Sequence, residues 1–131
     1  MLLVLDDWDT RRHIIVPWWG KTYNINCASV YHLTEYPKQG LGQYLLDAIT
    51  TKYIKYISLD HDLGNSDVSS SLNKELWNTP DLFKIAFRDK IVIIHSMNYP
   101  GASNILNKLQ NIAEAVRIYP LSLMKESLNE T

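Results

Sequence analysis

Three short, largely apolar runs, each stopping at a polar cluster, most constrain what this chain can fold into. Leu-Leu-Val-Leu at residues 2–5 ends at Asp6-Asp7, and Tyr-Ile-Ser-Leu at 56–59 ends at Asp60-His61-Asp62. Ile-Val-Ile-Ile at 91–94 ends at His95-Ser96. Runs this short, without polar alternation, are read as strands buried on both faces, the habit of parallel strands inside α/β sheets. Between them, Leu45, Leu46, Ile49 and Tyr53 recur at helical spacing and predict an amphipathic helix over residues 43–54. Further helices are expected at 73–77, at 80–87 with Pro80 in the first turn, and at 102–112. A second strand is read at 26–29 and a last one at 115–119. Strands alternating with helices predict a single doubly wound α/β domain over residues 1–131, with a central, mainly parallel sheet of five strands.

Other segments are less patterned. Residues 8–26 hold Pro17, Gly20 and three of the four tryptophans, with Ile14-Ile15-Val16 as a compact β-like run. Val30, Leu33 and Thr34 start a helical spacing, and residues 65–71 read as a polar, serine-rich connector. Residues 121–131 are expected to hold one short helix before fraying.

Composition removes several classes of function. A length of 131 residues, 46% apolar and 21% charged, fits an ordinary globular chain that needs no staples for its core. A net charge of -1 gives no general pull toward nucleic acid, so DNA is not an expected partner and any RNA must be gripped locally. No apolar run approaches the roughly 20 residues of a membrane span, and the first residues lack a secretory leader pattern, so a cytoplasmic, membrane-free location is expected, bacterial or in a phage-infected host. The single Cys27 excludes an intramolecular disulfide and reads as a small buried hydrophobe.

In open α/β sheets ligands bind beyond the carboxyl ends of the strands, where all three polar clusters fall. Asp6 and Asp7 either cap the following turn or offer hard oxygen ligands to Mg²⁺, with Asp60 as a third. Asp60-His61-Asp62 combines a base, orienting partners and metal ligands. In an extended chain Asp60 and Asp62 share one face and His61 takes the other, unless a turn near Gly64 intervenes. His95 follows the most apolar strand, where an unpartnered polar group is costly. A satisfied structural histidine is the ordinary reading of one such residue, whereas histidines at two neighbouring strand ends point to a functional pair. Ser96 and Asn98 are candidates for holding a phosphoryl oxygen, and Trp8 for stacking on a base. His13 and His32 are read as surface or packing residues.

Leu-Asp-Asp at 5–7, Ser-Leu-Asp-His-Asp-Leu-Gly at 58–64 and Ile-His-Ser-Met-Asn at 94–98 together resemble a receiver-like family proposed to process cyclic phosphates. The resemblance implies a receiver or flavodoxin-like fold. Set beside ordinary receivers, Asp6 and Asp7 look like the metal-binding acidic pair, Asp60 like the phosphoacceptor and Ser96 like the hydroxyl residue ending the fourth strand. Receivers place a lysine before the proline after the last strand, whereas here Tyr119 precedes Pro120. The segment after Gly64 also lacks that family's Thr-Gly step. The expected activity is a phosphoesterase opening a cyclic phosphate, on an RNA end or a cyclic nucleotide. In it His61 and His95 divide the acid and base roles, and Asp60 or Asp62 orients an imidazole. Ser96 and Asn98 hold the phosphate, and a variant uses Mg²⁺ on Asp6, Asp7 and Asp60. A binding module that sequesters a cyclic nucleotide, and a degenerate receiver acting by protein contact, are the competing readings.

Overall fold

The computed structural model describes residues 1–25, 30–33, 40–63 and 66–129. The strand read at residues 26–29, Cys27 and Gly64 lie outside them, as does the side chain of His32. In chain order the elements are β1 (Leu2–Leu5), a 3₁₀ turn (Asp9–Arg11), α1 (Arg12–Tyr23), β2 (Val30–Leu33), α2 (Leu41–Thr51) and β3 (Tyr56–Leu59). A small hairpin of β4 (Asp62–Leu63) and β5 (Ser66–Asp67) leads into α3 (Val68–Asn78) and α4 (Pro80–Phe87). β6 (Ile91–Ile94), α5 (Tyr99–Leu109), β7 (Ala115–Ile118) and α6 (Leu121–Leu128) follow.

The main sheet has five parallel strands in the order β2-β1-β3-β6-β7, as a doubly wound fold requires. Successive side chains of a strand point to opposite faces, which explains the unbroken apolar runs. Leu3 and Leu5 of β1, Ile57 and Leu59 of β3, and Val92 and Ile94 of β6 enter one core with Leu45, Leu46, Phe83, Phe87, Ile105 and Leu109 of the helices. Leu2, Val4 and Ile93 enter the other, with Ile15, Trp18 and Trp19 of α1 and Met124 of α6. Each such side chain contributes about 1.5–3 kcal/mol by leaving water.

Three readings of the sequence are corrected. Ile14-Ile15-Val16 lies in α1, because Ile15, Trp18 and Trp19 recur at helical spacing and burying that stripe outweighs local β preference. Pro17 is tolerated there because it is exposed, where water can take up the carbonyl bond it leaves unmade. Val30–Leu33 is not a helix start but an edge strand, paired with β1 from Leu2↔Val30 to Leu5↔Leu33. The serine-rich connector is largely the first turn of α3, whose start lies at Val68 rather than residue 73. The short helix expected after residue 121 is α6, which buries Met124 against α1, and Lys21 Nζ donates to the Ser127 carbonyl at 3.0 Å.

Asp67 caps α3, accepting from the Ser70 amide at 2.7 Å and its hydroxyl at 2.9 Å. Burial pushes the Asp67 carboxyl up, but the bonds from Ser70 and Ser69 and the nearby His61 outweigh it and hold it below the usual range. Asp67→Ala should therefore cost about 1 kcal/mol in a denaturant titration at neutral pH. Because the folded-state value is depressed, that contribution is present above the unfolded value and is lost as pH falls through the folded one. The two proteins should converge in strong acid.

Candidate active site

The register Leu5↔Leu59 and Leu59↔Ile94 ends β1, β3 and β6 level with one another, so the next residues, Asp6, Asp60 and His95, stand side by side. All three are buried, Asp6 completely. His95 Nε2 donates to Asp6 Oδ2 at 2.9 Å, and the Ser58 hydroxyl meets its Nδ1 at 2.8 Å. Asp60 Oδ1 accepts from the His61 amide, and Asp6 Oδ1 from the Trp8 amide, both at 2.8 Å. Arg11, from the 3₁₀ turn, reaches over both carboxylates. Its Nη1 lies 3.4 Å from each Asp6 oxygen and 3.2 Å from Asp60 Oδ2.

These surroundings drive the two carboxyls apart. Burial pushes Asp6 up, but the His95 hydrogen bond and charge, the Trp8 amide and Arg11 together hold it below its ordinary value. Burial raises Asp60, and the negative charge of Asp6 raises it further, against the opposing pull of His95, the His61 amide and Arg11. One carboxylate is thus held charged while its neighbour resists charging.

A second network lies beside the first. His61 Nδ1 faces Asp62 Oδ1 at 2.9 Å and its Nε2 faces Ser69 Oγ at 3.0 Å, while Ser69 donates to Asp67 at 3.0 Å. Asn98 donates from Nδ2 to Asp62 Oδ2 at 3.1 Å and also caps α5 through the Gly101 amide. Bonds from Asn98 and His61 hold Asp62 below the usual carboxylate range. The extended-chain expectation that Asp60 and Asp62 share a face gives way to a turn at His61, after which the β4–β5 hairpin turns back toward α3. The His61 ring packs on α5 at Gly101, where a Cβ would come within 2.5 Å of ring atoms. Gly101→Ala should consequently displace the ring and cost about 1–3 kcal/mol, read as a lower denaturant midpoint.

Above both networks opens a cleft of about 350 Å³. The buried Asp60 and His95 form its floor, and Asp7, Trp8, Arg11, Asp62, Ser96, Met97, Asn98 and Leu121 also line it. Most residues singled out from the sequence therefore meet in one place. Asp7 lines the cleft but is exposed, and among the described residues the group able to share a metal ion is Asp6, Asp60 and His95 instead. His61 sits behind Asp62, while Trp8 is exposed at the rim with Arg11 stacked on its ring at 4.9 Å. Ser96 Oγ accepts from the Asn98 amide at 3.0 Å. His13 is exposed on α1. Arg11, Ser58 and Ser69 escaped the sequence reading. Arg11 had a weak signal, standing one turn after an acidic pair, whereas nothing local marks the two serines.

Residues 1–111 match the cyclic-phosphate processing receiver domain. The chain belongs to this family. No curated protein matches it. Among solved structures, the response regulator domain of Thermotoga maritima CheB is 14% identical over 97% of this chain and 88% of its own, with a TM-score of 0.53. The N-terminal domain of a response regulator receiver protein from Methanoculleus marisnigri is 15% identical over 97% and 89%, with a TM-score of 0.52. A de novo designed Rossmann 2x3 protein scores 0.52 at 11% identity, over 98% of this chain and 86% of its own, so likenesses at this level carry the fold and not the chemistry.

The receiver fold and membership of a cyclic-phosphate processing family thus confirm the resemblance read from the three motifs. Among the described residues, Asp6, Asp60 and His95 each offer a ligand atom within 4.8 Å of the others, a grouping that could hold a metal ion. Tyr119, where receivers carry lysine, stacks on Trp18 with ring centroids 4.9 Å apart. That position supplies packing instead of a cation. No helix among the described residues is long and apolar enough to cross a membrane.

Proposed function

We propose that this cleft hydrolyses a cyclic phosphate, on an RNA end or a cyclic nucleotide, to an open phosphomonoester. The observation that carries the reading is a buried Asp6–Asp60–His95 floor set beside an Asp62–His61 pair in one cleft with Arg11, Ser96, Asn98 and Trp8. The carboxylates of Asp6 and Asp60, whose oxygens lie within 4.8 Å of one another, are hard oxygen ligands that fit a divalent cation such as Mg²⁺. When bound there, the ion would offset phosphate charge and favour a nucleophilic water.

The chain's own residues account for binding and proton movement. Arg11, Ser96 and Asn98 would hold the phosphoryl oxygens, and Trp8 would stack on the base. As the water oxygen bonds to phosphorus, one phosphorus–ribose oxygen bond breaks. Asp62, backed by the His61 ring, takes the proton lost by the water and returns it to the departing ribose oxygen. This moves the acid and base work from a His61 and His95 pair to the Asp62–His61 pair, because Asp62 is exposed at the cleft whereas His95 is buried between Asp6 and Ser58.

The test is incubation with cyclic mono-, di- and oligonucleotides and with cyclic-phosphate-ended RNA, read by product mass. A gain of one water on at least one substrate is expected. Ligand bound in calorimetry but recovered intact after long incubation would sink the enzymatic reading in favour of sequestration.

A further inference from the structure

Arg11 occupies an unusual position: a guanidinium drawn over two buried carboxylates at the floor of a cleft expected to receive an anion. Nη1 alone makes all the contacts to Asp6 and Asp60, at 3.2–3.4 Å. Charge-assisted bonds of this kind ordinarily shorten to about 2.7–2.9 Å and pair in a fork. Arg11 is therefore loosely held. Its side chain is 30% exposed, and its guanidinium lies against the exposed Trp8 ring, so it can leave the carboxylates by side-chain rotation alone.

Among the described residues lining the cleft, Arg11 is the only fixed cation, against Asp7, Asp60 and Asp62. A small divalent ion would meet the same oxygens at about 2.0–2.1 Å with twice the charge. The guanidinium and the ion cannot share that space. Once displaced, Arg11 would still line the same cleft as Ser96 and Asn98.

We propose that Arg11 is a resident counter-ion that holds Asp6 and Asp60 until a divalent cation replaces it, and then turns to bind the phosphate of the substrate. The second half rests on the function proposed above; the first does not. Arg11 thereby makes the acidic floor tolerable before loading and couples loading to anion capture.

Removing the side chain should act in opposite directions on the two ligands. Mn²⁺ binding, followed by loss of the free-ion paramagnetic resonance signal, should tighten about tenfold in Arg11→Ala, because a competitor at contact distance is gone. Inorganic phosphate binding at saturating Mn²⁺, measured by calorimetry, should weaken about tenfold. Arg11→Gln, which keeps the aliphatic cover on Trp8, should show the same pair of signs and guards against a folding defect in the alanine variant. A merely structural role would weaken both ligands. Unchanged or weaker Mn²⁺ binding in a folded variant, or a wild type that binds no Mn²⁺, overturns the proposal. Tighter Mn²⁺ with unchanged phosphate overturns the exchange. If both signs hold while the substrate panel yields no product, the proposed hydrolysis has failed and the role of Arg11 has not.

Discussion

Asp60→Asn is expected to raise stability at neutral pH by roughly 1 kcal/mol, the usual gain from relieving a strained functional site, while cutting the proposed hydrolysis by about a hundredfold or more. Burial and the neighbouring charge of Asp6 both raise Asp60 above its ordinary value. A raised carboxyl means that the folded chain takes up a proton more readily than the unfolded one. The wild type is accordingly favoured below the unfolded-state value and loses that advantage as pH rises through the folded one. Asparagine has the same shape, still accepts from the His61 amide and carries no charge to bury. What it gives up is one contact with Arg11, which is partly exposed and at 3.2 Å weak. Denaturant midpoints of the two proteins should coincide in acid and separate as pH rises, with Asp60→Asn the more stable. If the variant is less stable at neutral pH, Arg11 and His95 already compensate Asp60 fully and the floor is not strained.

The same conflict between burial and charge explains what the sequence made legible. A strand buried on both faces must be apolar throughout, so β1, β3 and β6 were readable to the residue, and so was the change to polar chemistry where each leaves the core. α1 was not, because Ile14-Ile15-Val16 carries β preference and only the partner surface of Trp18, Trp19 and Met124 makes its helical stripe decisive. The start of α3 was hidden for a different reason. Serines at 69–71 look like a loop until Asp67 is seen to accept bonds from all three.

The site divides along the same line. Residues that directly end strands were found, since strand ends point to the ligand edge in any doubly wound fold. Partners recruited from other elements were not. Ser58 faces His95 only because β3 and β6 are neighbours, and Ser69 faces His61 only because a two-stranded hairpin turns the chain back. Pairing His61 with His95 as acid and base was natural for two imidazoles at adjacent strand ends. It could not foresee that each ring would be taken up by a separate network, Asp6 and Ser58 for one and Asp62 and Ser69 for the other.

Chelation of divalent cations is expected to abolish the proposed hydrolysis, with activity restored by Mg²⁺ or Mn²⁺. The reason is electrostatic. A cyclic phosphodiester is an anion, and the cleft that would receive it presents Asp7, Asp60 and Asp62 above the buried charge of Asp6, with Arg11 as the opposing fixed charge among its described lining residues. While Arg11 is engaged by Asp6 and Asp60 it cannot also neutralise a phosphate. A cation worth several kcal/mol of charge stabilisation in the transition state corresponds to about a thousandfold in rate. Initial rates in a chelator, against the same protein re-supplied with metal, measure it directly. Full turnover in the chelator would remove the cation from the mechanism and return the work to the imidazoles. The His61→Ala, His95→Ala double variant should then be inactive with or without metal, whereas under metal dependence His61→Ala alone should slow turnover and leave Mn²⁺ affinity unchanged, because His61 is not among the residues that would hold the ion.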